Sequence, residues 1–90
     1  MTAQVTAQVV MYSSSLCGFC FRAKRLLDSK GVAYKEISVD GRGDMRQQMM
    51  QLTGGRTVPQ IIINGNAIGG CDELHLLDRQ QQLDTLLAAS

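Results

Sequence analysis

Two cysteines separated by two residues are the part of this 90-residue sequence with the clearest chemical potential. Cys17 and Cys20 stand at the predicted start of a helix, where free backbone N–H groups and the positive end of the helix dipole stabilise a negatively charged sulfur. A free cysteine has a pKa of about 8.5, whereas one that opens a helix in a Cys-x-x-Cys pair has a pKa of roughly 3.5–7.5. The position therefore predicts that Cys17 is a nucleophilic thiolate. Cys20, one turn later on the same side, is the predicted resolving thiol, which attacks a mixed disulfide formed on Cys17.

A zinc site is the alternative interpretation of the same pair. Cys71 and His75, with three residues between them, could supply the other half of such a site. The stretch from Cys20 to Cys71 is far longer than in the usual zinc modules, and His75 lies between two leucines, where an exposed polar residue is the ordinary interpretation. We therefore predict no resident metal. Cys71 also has the plainer interpretation of a small buried apolar residue.

Two further motifs stand out, a proline within a predicted strand and a glycine pair before a predicted helix. Pro59 is the only proline, and it breaks a β-rich run, where a proline removes a ladder hydrogen bond. A cis Val58–Pro59 bond would turn backbone groups of Val58 toward the thiols, where an extended thiol peptide could pair with them; an ordinary strand start is the alternative. A Gly-Gly pair precedes Cys71 and Asp72 at a predicted helix N-terminus. That place suits a carboxylate, or is a simple turn.

Hydrophobic periodicity and turn signals predict the elements that position these motifs. Strands are predicted at 8–12, 34–39, 58–63 and 67–68, and helices at 18–30, 44–53, 71–79 and 83–89. Asp44 is expected to cap the second helix as part of a capping-box variant, and Met45, Met49 and Leu52 are expected on one face of that helix. An Asn-Gly pair at 64–65 is a strong hairpin signal.

The predicted order is β-α-β-α-β-β-α with a short terminal helix. A strand-helix-strand unit implies a right-handed parallel crossover, and the hairpin adds antiparallel edge strands, so an α/β fold with a mixed four-stranded sheet flanked by helices is expected. No linker divides the sequence, and the length of 90 residues, 9.8 kDa, suits one domain over 1–90. Residues 1–7 are expected to form a flexible or extended tail.

Composition and charge narrow the class of partners. A net charge of +1 provides no broad basic face for nucleic acid, and no apolar run reaches the roughly 18–20 residues that span a bilayer. The start of the chain has no basic residue before Arg22 and too short an apolar stretch for a signal sequence. A cytoplasmic location is therefore expected, where an odd number of cysteines favours reactive thiols over structural disulfides.

Taken together, the three motifs resemble the glutaredoxin family. The Cys17–Cys20 pair, Thr57-Val58-Pro59 and the stretch from Ile68 to Leu74 occur in that family's order and approximate spacing, and the resemblance spans about residues 8–87. Thioredoxins are less similar, since they usually carry Trp-Cys-Gly-Pro-Cys and this chain has no tryptophan. The resemblance implies a thioredoxin fold, a cis Pro59 and an enzyme that uses glutathione as co-substrate to reduce glutathionylated proteins and protein disulfides.

The resemblance also implies a glutathione site across the face that holds Cys17. Thr57 and Val58 would offer main-chain contacts to the cysteinyl part, and Cys71 and Asp72 would receive the γ-glutamyl end. The full set of glutathione contacts implied by position is Phe19, which would flank the sulfur, Arg46, a candidate for the glycine carboxylate, and Thr57, Val58, Pro59, Gly70, Cys71 and Asp72.

Two positions depart from the family's common pattern. Ser14 stands where the family often has a lysine three residues before the nucleophile, and Arg22 or Lys24 either compensates for that cation or is a solvated helix residue. Gly18 replaces the proline of the common dithiol motif, as in members that hold a [2Fe–2S] cluster between two subunits. The alternative function is therefore an iron-sulfur carrier or sensor, with Cys17 of each subunit and two glutathiones as ligands. A monomer is expected, and a dimer only if the cluster is bound.

Overall fold

The computed structural model describes residues 7–88, in which four strands and four helices follow the predicted order. The strands are β1 (Val9–Ser13), β2 (Lys35–Ser38), β3 (Gln60–Ile63) and β4 (Asn66–Gly69). The helices are α1 (Gly18–Ser29), α2 (Gly43–Thr53), α3 (Cys71–Arg79) and α4 (Leu83–Ala88). The third helix has the predicted bounds, and the third strand begins after Pro59 rather than before it, since proline cannot donate to the ladder.

The four strands form one mixed sheet in the order β2-β1-β3-β4. β1 is parallel to β2, and β3 is antiparallel to both β1 and β4. Of the two hairpin strands that were expected at an edge, β4 is an edge strand, but β3 is internal because it also pairs with β1. Asn64 and Gly65 join β3 to β4, and both have positive φ values, 52° and 81°, as a tight two-residue hairpin turn requires. The predicted α/β fold is confirmed, and its topology is that of the thioredoxin fold.

Helices cover both faces of the sheet because successive strand residues point to opposite sides. Met11 on β1 belongs to one buried cluster, which α1, α3 and α4 complete through residues such as Leu27 and Leu74. The next residue, Tyr12, belongs to a second cluster with Val39 and Met49 of α2. This alternation fixes α1, and with it Cys17, against one face of the sheet.

The predicted cap of α2 is wrong. The N-cap residue is Arg42, which makes no side-chain capping bond. Asp44 lies inside the first turn and accepts hydrogen bonds from Arg42 Nε and Nη2 at 3.1 and 3.0 Å, so its carboxylate is engaged by a cation instead of by the helix end. On the predicted apolar face Met49 is buried, whereas Leu52 is exposed.

The structure describes one residue of the predicted N-terminal tail, Ala7. Residues 1–6, and Ala89 of the predicted last helix, lie outside the described residues. Ala7, the last residue of the predicted tail, is buried, and its N–H donates to the carbonyl oxygen of Leu87 at 3.2 Å. The flexible or extended tail over residues 1–7 stays a prediction. Between residues 7 and 88, no helix has the length and apolar character needed to cross a membrane.

Glu36 on β2 connects three elements, and its contacts make a contribution to the free energy of unfolding that is lost in acid. Its carboxylate pairs with Lys24 of α1 at 2.5 Å and accepts a hydrogen bond from Ser13 of β1 at 2.5 Å. Lys24 first, and then Ser13, lower the pKa of Glu36 against the opposing effect of burial. A group with a lowered folded-state pKa stabilises the fold above its ordinary pKa, and this contribution is lost as the pH falls through the folded-state value.

We therefore expect Glu36→Gln to flatten the decline of stability in acid. The measurement is the urea midpoint of wild type and variant at a series of pH values from neutral down to below the ordinary carboxyl range. The urea concentration at the midpoint should fall further for wild type than for the variant over that range. Parallel declines would contradict the assignment.

Candidate active site

The two cysteines of the Cys-x-x-Cys motif lie at the start of α1 and differ sharply in accessibility. Cys17 is the N-cap residue with extended backbone, φ −131° and ψ 106°, and its Sγ accepts the backbone N–H of Cys20 at 3.0 Å. Cys17 is partly exposed, whereas Cys20 is 1% exposed. The structure has the pair as a disulfide, with the two Cα atoms 5.2 Å apart. An attacking sulfur from outside can therefore reach Cys17 but not Cys20.

The proline motif lies directly against Cys17. The Val58–Pro59 bond is cis, as the resemblance implies, and the carbonyl oxygen of Val58 is 3.7 Å from Cys17 Sγ. Pro59 is buried, and Val58 is half-buried. The backbone of this segment thus passes beside the reactive sulfur, where it can pair with an extended peptide.

The glycine motif packs against the proline motif. Gly69 has a φ of +118°, which favours glycine, and Gly70 is the N-cap residue of α3. A Cβ atom at Gly70 would lie 3.2 Å from the carbonyl oxygen of Pro59, so a larger residue would crowd this approach. Glu73 accepts the N–H of Gly70 at 2.7 Å and holds the turn in place. Glu73 is not among the glutathione contacts that the resemblance implies, although an acidic residue at N3 is a known capping signal.

Residues of these three motifs line a cleft of about 300 Å³, and one of them, Val58, has its carbonyl oxygen 3.7 Å from Cys17 Sγ. Seven of the eight residues that position alone named as glutathione contacts line the cleft, and Glu73 is the additional lining residue. The lining residues are Phe19, Thr57, Val58, Pro59, Gly70, Cys71, Asp72 and Glu73. The cleft combines an exposed aromatic ring, backbone groups and two carboxylates, so it suits a short polar peptide.

Arg46 is the one named contact that does not line this cleft. It extends from α2, and its Nη1 donates to the carbonyl oxygen of Arg56 at 3.4 Å. Arg56 directly precedes Thr57, so Arg46 supports the segment that leads into the cleft. A direct contact of Arg46 with a glutathione carboxylate stays a prediction.

The structure separates the two cations that could replace the missing lysine. Lys24 pairs with Glu36 on the β2 side, so its charge is already matched. Arg22 lies close enough to Cys71 to favour the charged form of that thiol. Arg22 is not among the residues that line the cleft, so compensation for the missing lysine by Arg22 stays a prediction.

Cys71 is a buried thiol, in line with its plainer interpretation. Burial raises the pKa of Cys71, and the nearby Asp72 and Glu73 act in the same direction while Arg22 opposes them. Its Sγ lies 3.4 Å from Nδ1 of His75, and that nitrogen is closer, 2.9 Å, to the carbonyl oxygen of Cys71. Among residues 7–88, no group of three or more histidine, cysteine or acidic side chains is placed to hold a metal ion, so the zinc alternative lacks its ligand set.

Gln60 is a second supporting residue that sequence reasoning missed. It is 6% exposed at the start of β3, and its Nε2 donates to the carbonyl oxygen of Thr57 at 3.0 Å. Its side chain also lies over Gly55, where a Cβ atom would be only 2.3 Å from Nε2. Gln60 therefore fixes the loop that forms one wall of the cleft. A polar residue in a β-rich run was the only signal for it.

A family model, two relatives and a solved structure that are similar to this chain all represent glutaredoxins. The model of the glutaredoxin family matches residues 9–68. A glutaredoxin of Pseudomonas aeruginosa is 47% identical over 81 residues, which cover 90% of this chain and 96% of that protein. Glutaredoxin 3 of Escherichia coli is also 47% identical over 81 residues, 90% of this chain and 98% of that protein. The crystal structure of a buckwheat glutaredoxin-glutathione complex superposes with a TM-score of 0.82 at 37% identity, covering 90% of this chain and 76% of that one.

Proposed function

Since this chain belongs to the glutaredoxin family of thiol-disulfide oxidoreductases, we propose that it uses glutathione to reduce glutathionylated proteins and protein disulfides. The observation that carries the proposal is the peptide-sized cleft beside the accessible sulfur of Cys17, with Cys20 buried behind it. The relative from buckwheat is described in complex with glutathione, which supports the same ligand here. We further propose that the enzyme works as a monomer in the cytoplasm.

In the monothiol route, Cys17 alone exchanges disulfides. Its thiolate attacks the glutathione sulfur of a glutathionylated protein, the S–S bond breaks, and the protein thiolate leaves and takes a proton from solvent. A second glutathione thiolate then attacks the glutathione sulfur on Cys17, which releases glutathione disulfide and restores the thiolate. The N–H of Cys20, 3.0 Å from Cys17 Sγ, stabilises the negative charge at the start and the end of this cycle.

In the dithiol route, Cys20 completes the reduction of a protein disulfide. Cys17 attacks one sulfur, and Cys20 then attacks Cys17 Sγ in the mixed disulfide, which frees the reduced protein and leaves the Cys17–Cys20 disulfide seen in this structure. Two glutathiones reduce that disulfide in turn. Because Cys20 is buried, it meets only a sulfur that Cys17 presents.

Glutathione is proposed to lie extended in the cleft. Thr57 and Val58 supply backbone pairing, and Phe19 flanks the sulfur. Gly70 and Cys71 supply backbone groups for the γ-glutamyl end, and Asp72 pairs with its amino group. Pro59 shapes the wall between them.

The Asp72 contact yields a kinetic prediction. Asp72→Asn removes the charge that pairs with the γ-glutamyl amino group while it keeps the size of the side chain. Because Asp72 is exposed, we expect a moderate rise of about three- to tenfold in KM for glutathione, with kcat little changed. Steady-state kinetics at varied glutathione concentrations measure it. Asp44→Asn, an exposed aspartate on α2, is the matched control, and an equal rise in both variants would contradict the contact.

The proposed activity is tested with a small glutathione mixed disulfide. Glutathione reductase and NADPH report the glutathione disulfide formed. We expect saturable, enzyme-dependent turnover that requires glutathione. A rate no higher than that of glutathione alone would overturn the proposal.

The iron-sulfur alternative is favoured by one observation, the open space at Gly18, where a Cβ atom would meet no atom within 4 Å. A [2Fe–2S] cluster needs four ligands, typically thiolates. Cys20 and Cys71 are 1% and 4% exposed, so Cys17 is the only accessible cysteine in the chain, and a single chain does not fit a cluster. A second copy and two glutathiones would be required. Anaerobic reconstitution followed by visible absorbance and size measurement decides: a coloured dimer supports the alternative, and a colourless monomer rules it out.

A further inference from the structure

The loop immediately before Cys17 is tied to the loop that follows β2. Ser14 Oγ donates to Asp40 Oδ1 at 2.5 Å, and the backbone N–H of Ser15 donates to Asp40 Oδ2 at 2.9 Å. The hydrogen bond from Ser14, followed by that from Ser15, lowers the pKa of Asp40. Each oxygen of one carboxylate thus holds one of the two residues that precede Leu16.

Leu16 is presented to solvent by this loop. Its 98% exposed fraction exceeds that of the other exposed large apolar residues in the described chain, which range from 45% to 60%. A single exposed leucine is ordinary on a protein surface, so its location is the informative part. Leu16 is bonded directly to Cys17, yet it is not among the residues that line the cleft.

The proposed reaction brings the polypeptide half of the substrate close to Leu16. When Cys17 attacks a glutathionylated protein, the glutathione half of the mixed disulfide occupies the cleft. The polypeptide half must then lie outside the cleft, while its sulfur is still bonded to the glutathione sulfur that Cys17 attacks. The exposed residues next to Cys17 that lie outside the cleft are therefore in reach of the polypeptide.

We propose that Leu16 is a specificity-determining contact for the polypeptide half of the substrate, favouring a protein with an apolar side chain beside the modified cysteine. Asp40 is a positioning residue, which acts through Ser14 and Ser15 to hold Leu16 in this place. The inference rests on the proposed function, because it assigns the protein side of the same disulfide exchange. It accounts for a leucine that is 98% exposed although it is bonded directly to the reactive cysteine.

Two glutathionylated peptides that differ only in a leucine or a serine beside the modified cysteine test this contact. Wild type should favour the leucine peptide in kcat/KM by about three- to tenfold, the range for partial burial of a leucine side chain. Leu16→Ser should reduce this preference to near unity and leave turnover of a small hydrophilic mixed disulfide unchanged. Leu52→Ser, an exposed leucine on α2, should keep the wild-type preference.

The Asp40 variants test the positioning role. Asp40→Ala removes both acceptors and should reduce the leucine preference, whereas Asp40→Asn keeps one acceptor oxygen and should restore most of it. No preference in wild type, or an undiminished preference in Leu16→Ser, would overturn the inference. Equal loss of activity on both peptides in Asp40→Ala would overturn the positioning role. If wild type also failed to turn over the small disulfide, the proposed function itself would fall, and with it the inference.

Discussion

Cys17→Ser is expected to abolish turnover of a glutathione mixed disulfide, with kcat/KM falling by about a hundredfold or more. A serine hydroxyl remains protonated at neutral pH and does not attack a disulfide, although it occupies nearly the same space. Cys20→Ser is expected to keep much of this activity, because the monothiol route needs only Cys17. Initial rates of all three proteins with a small mixed disulfide and glutathione make the comparison.

A protein disulfide substrate supplies the complementary control. Cys20→Ser should lose most of its activity there, since the resolving step requires the buried thiol, and it should accumulate a mixed disulfide on Cys17 that intact-mass measurement detects. Comparable rates for Cys17→Ser and wild type would refute the assignment of the nucleophile. A loss confined to the Cys20 variant would exchange the two roles.

The convergence of the three motifs follows from strand direction. β1 and β3 are antiparallel, with Tyr12 opposite Gln60, so the end of β1 that leads to Cys17 lies beside the start of β3 that follows Pro59. β3 and β4 are also antiparallel, with Ile61 opposite Gly69. The glycine motif, which follows β4, therefore lies at the same end of the sheet. The hairpin was predictable from Asn-Gly, but no local signal specifies that β3 pairs with β1. That pairing was therefore not predicted from the sequence.

Local signals predicted the start of the first helix, but they failed where a competing neighbour or a residue distant in the sequence decides the contact. Cys17 at a helix start could be predicted because capping is determined within a few positions. Asp44 had the same signal, yet Arg42 two residues earlier took its carboxylate. The bonds of Asp40 to the loop before Cys17 join residues 25 and 26 positions apart, which no pattern in the sequence specifies. Supporting residues are therefore harder to predict than the cysteines that they serve.

Gly55→Ala is expected to damage both stability and glutathione binding. An added Cβ atom would lie 2.3 Å from Nε2 and 2.6 Å from Cδ of Gln60, and the buried Gln60 side chain has no solvent into which to move. Relief of this overlap breaks the bond from Gln60 to the carbonyl oxygen of Thr57. Overpacking of this kind costs about 1–3 kcal/mol of unfolding free energy. The displaced Thr57 backbone should also raise KM for glutathione.

The same substitution at Gly43 separates this effect from a general response to alanine. Gly43 lies in the first turn of α2, where an added Cβ atom meets no atom within 4 Å, and replacing a helical glycine by alanine is neutral or favourable by up to about 1 kcal/mol. Urea unfolding and glutathione kinetics should thus leave Gly43→Ala close to wild type and set Gly55→Ala apart in both measurements. If Gly55→Ala lost stability but kept the wild-type KM, Gln60 would support the fold without positioning Thr57 for the ligand, because the wall of the cleft would have withstood the loss of its buried hydrogen bond.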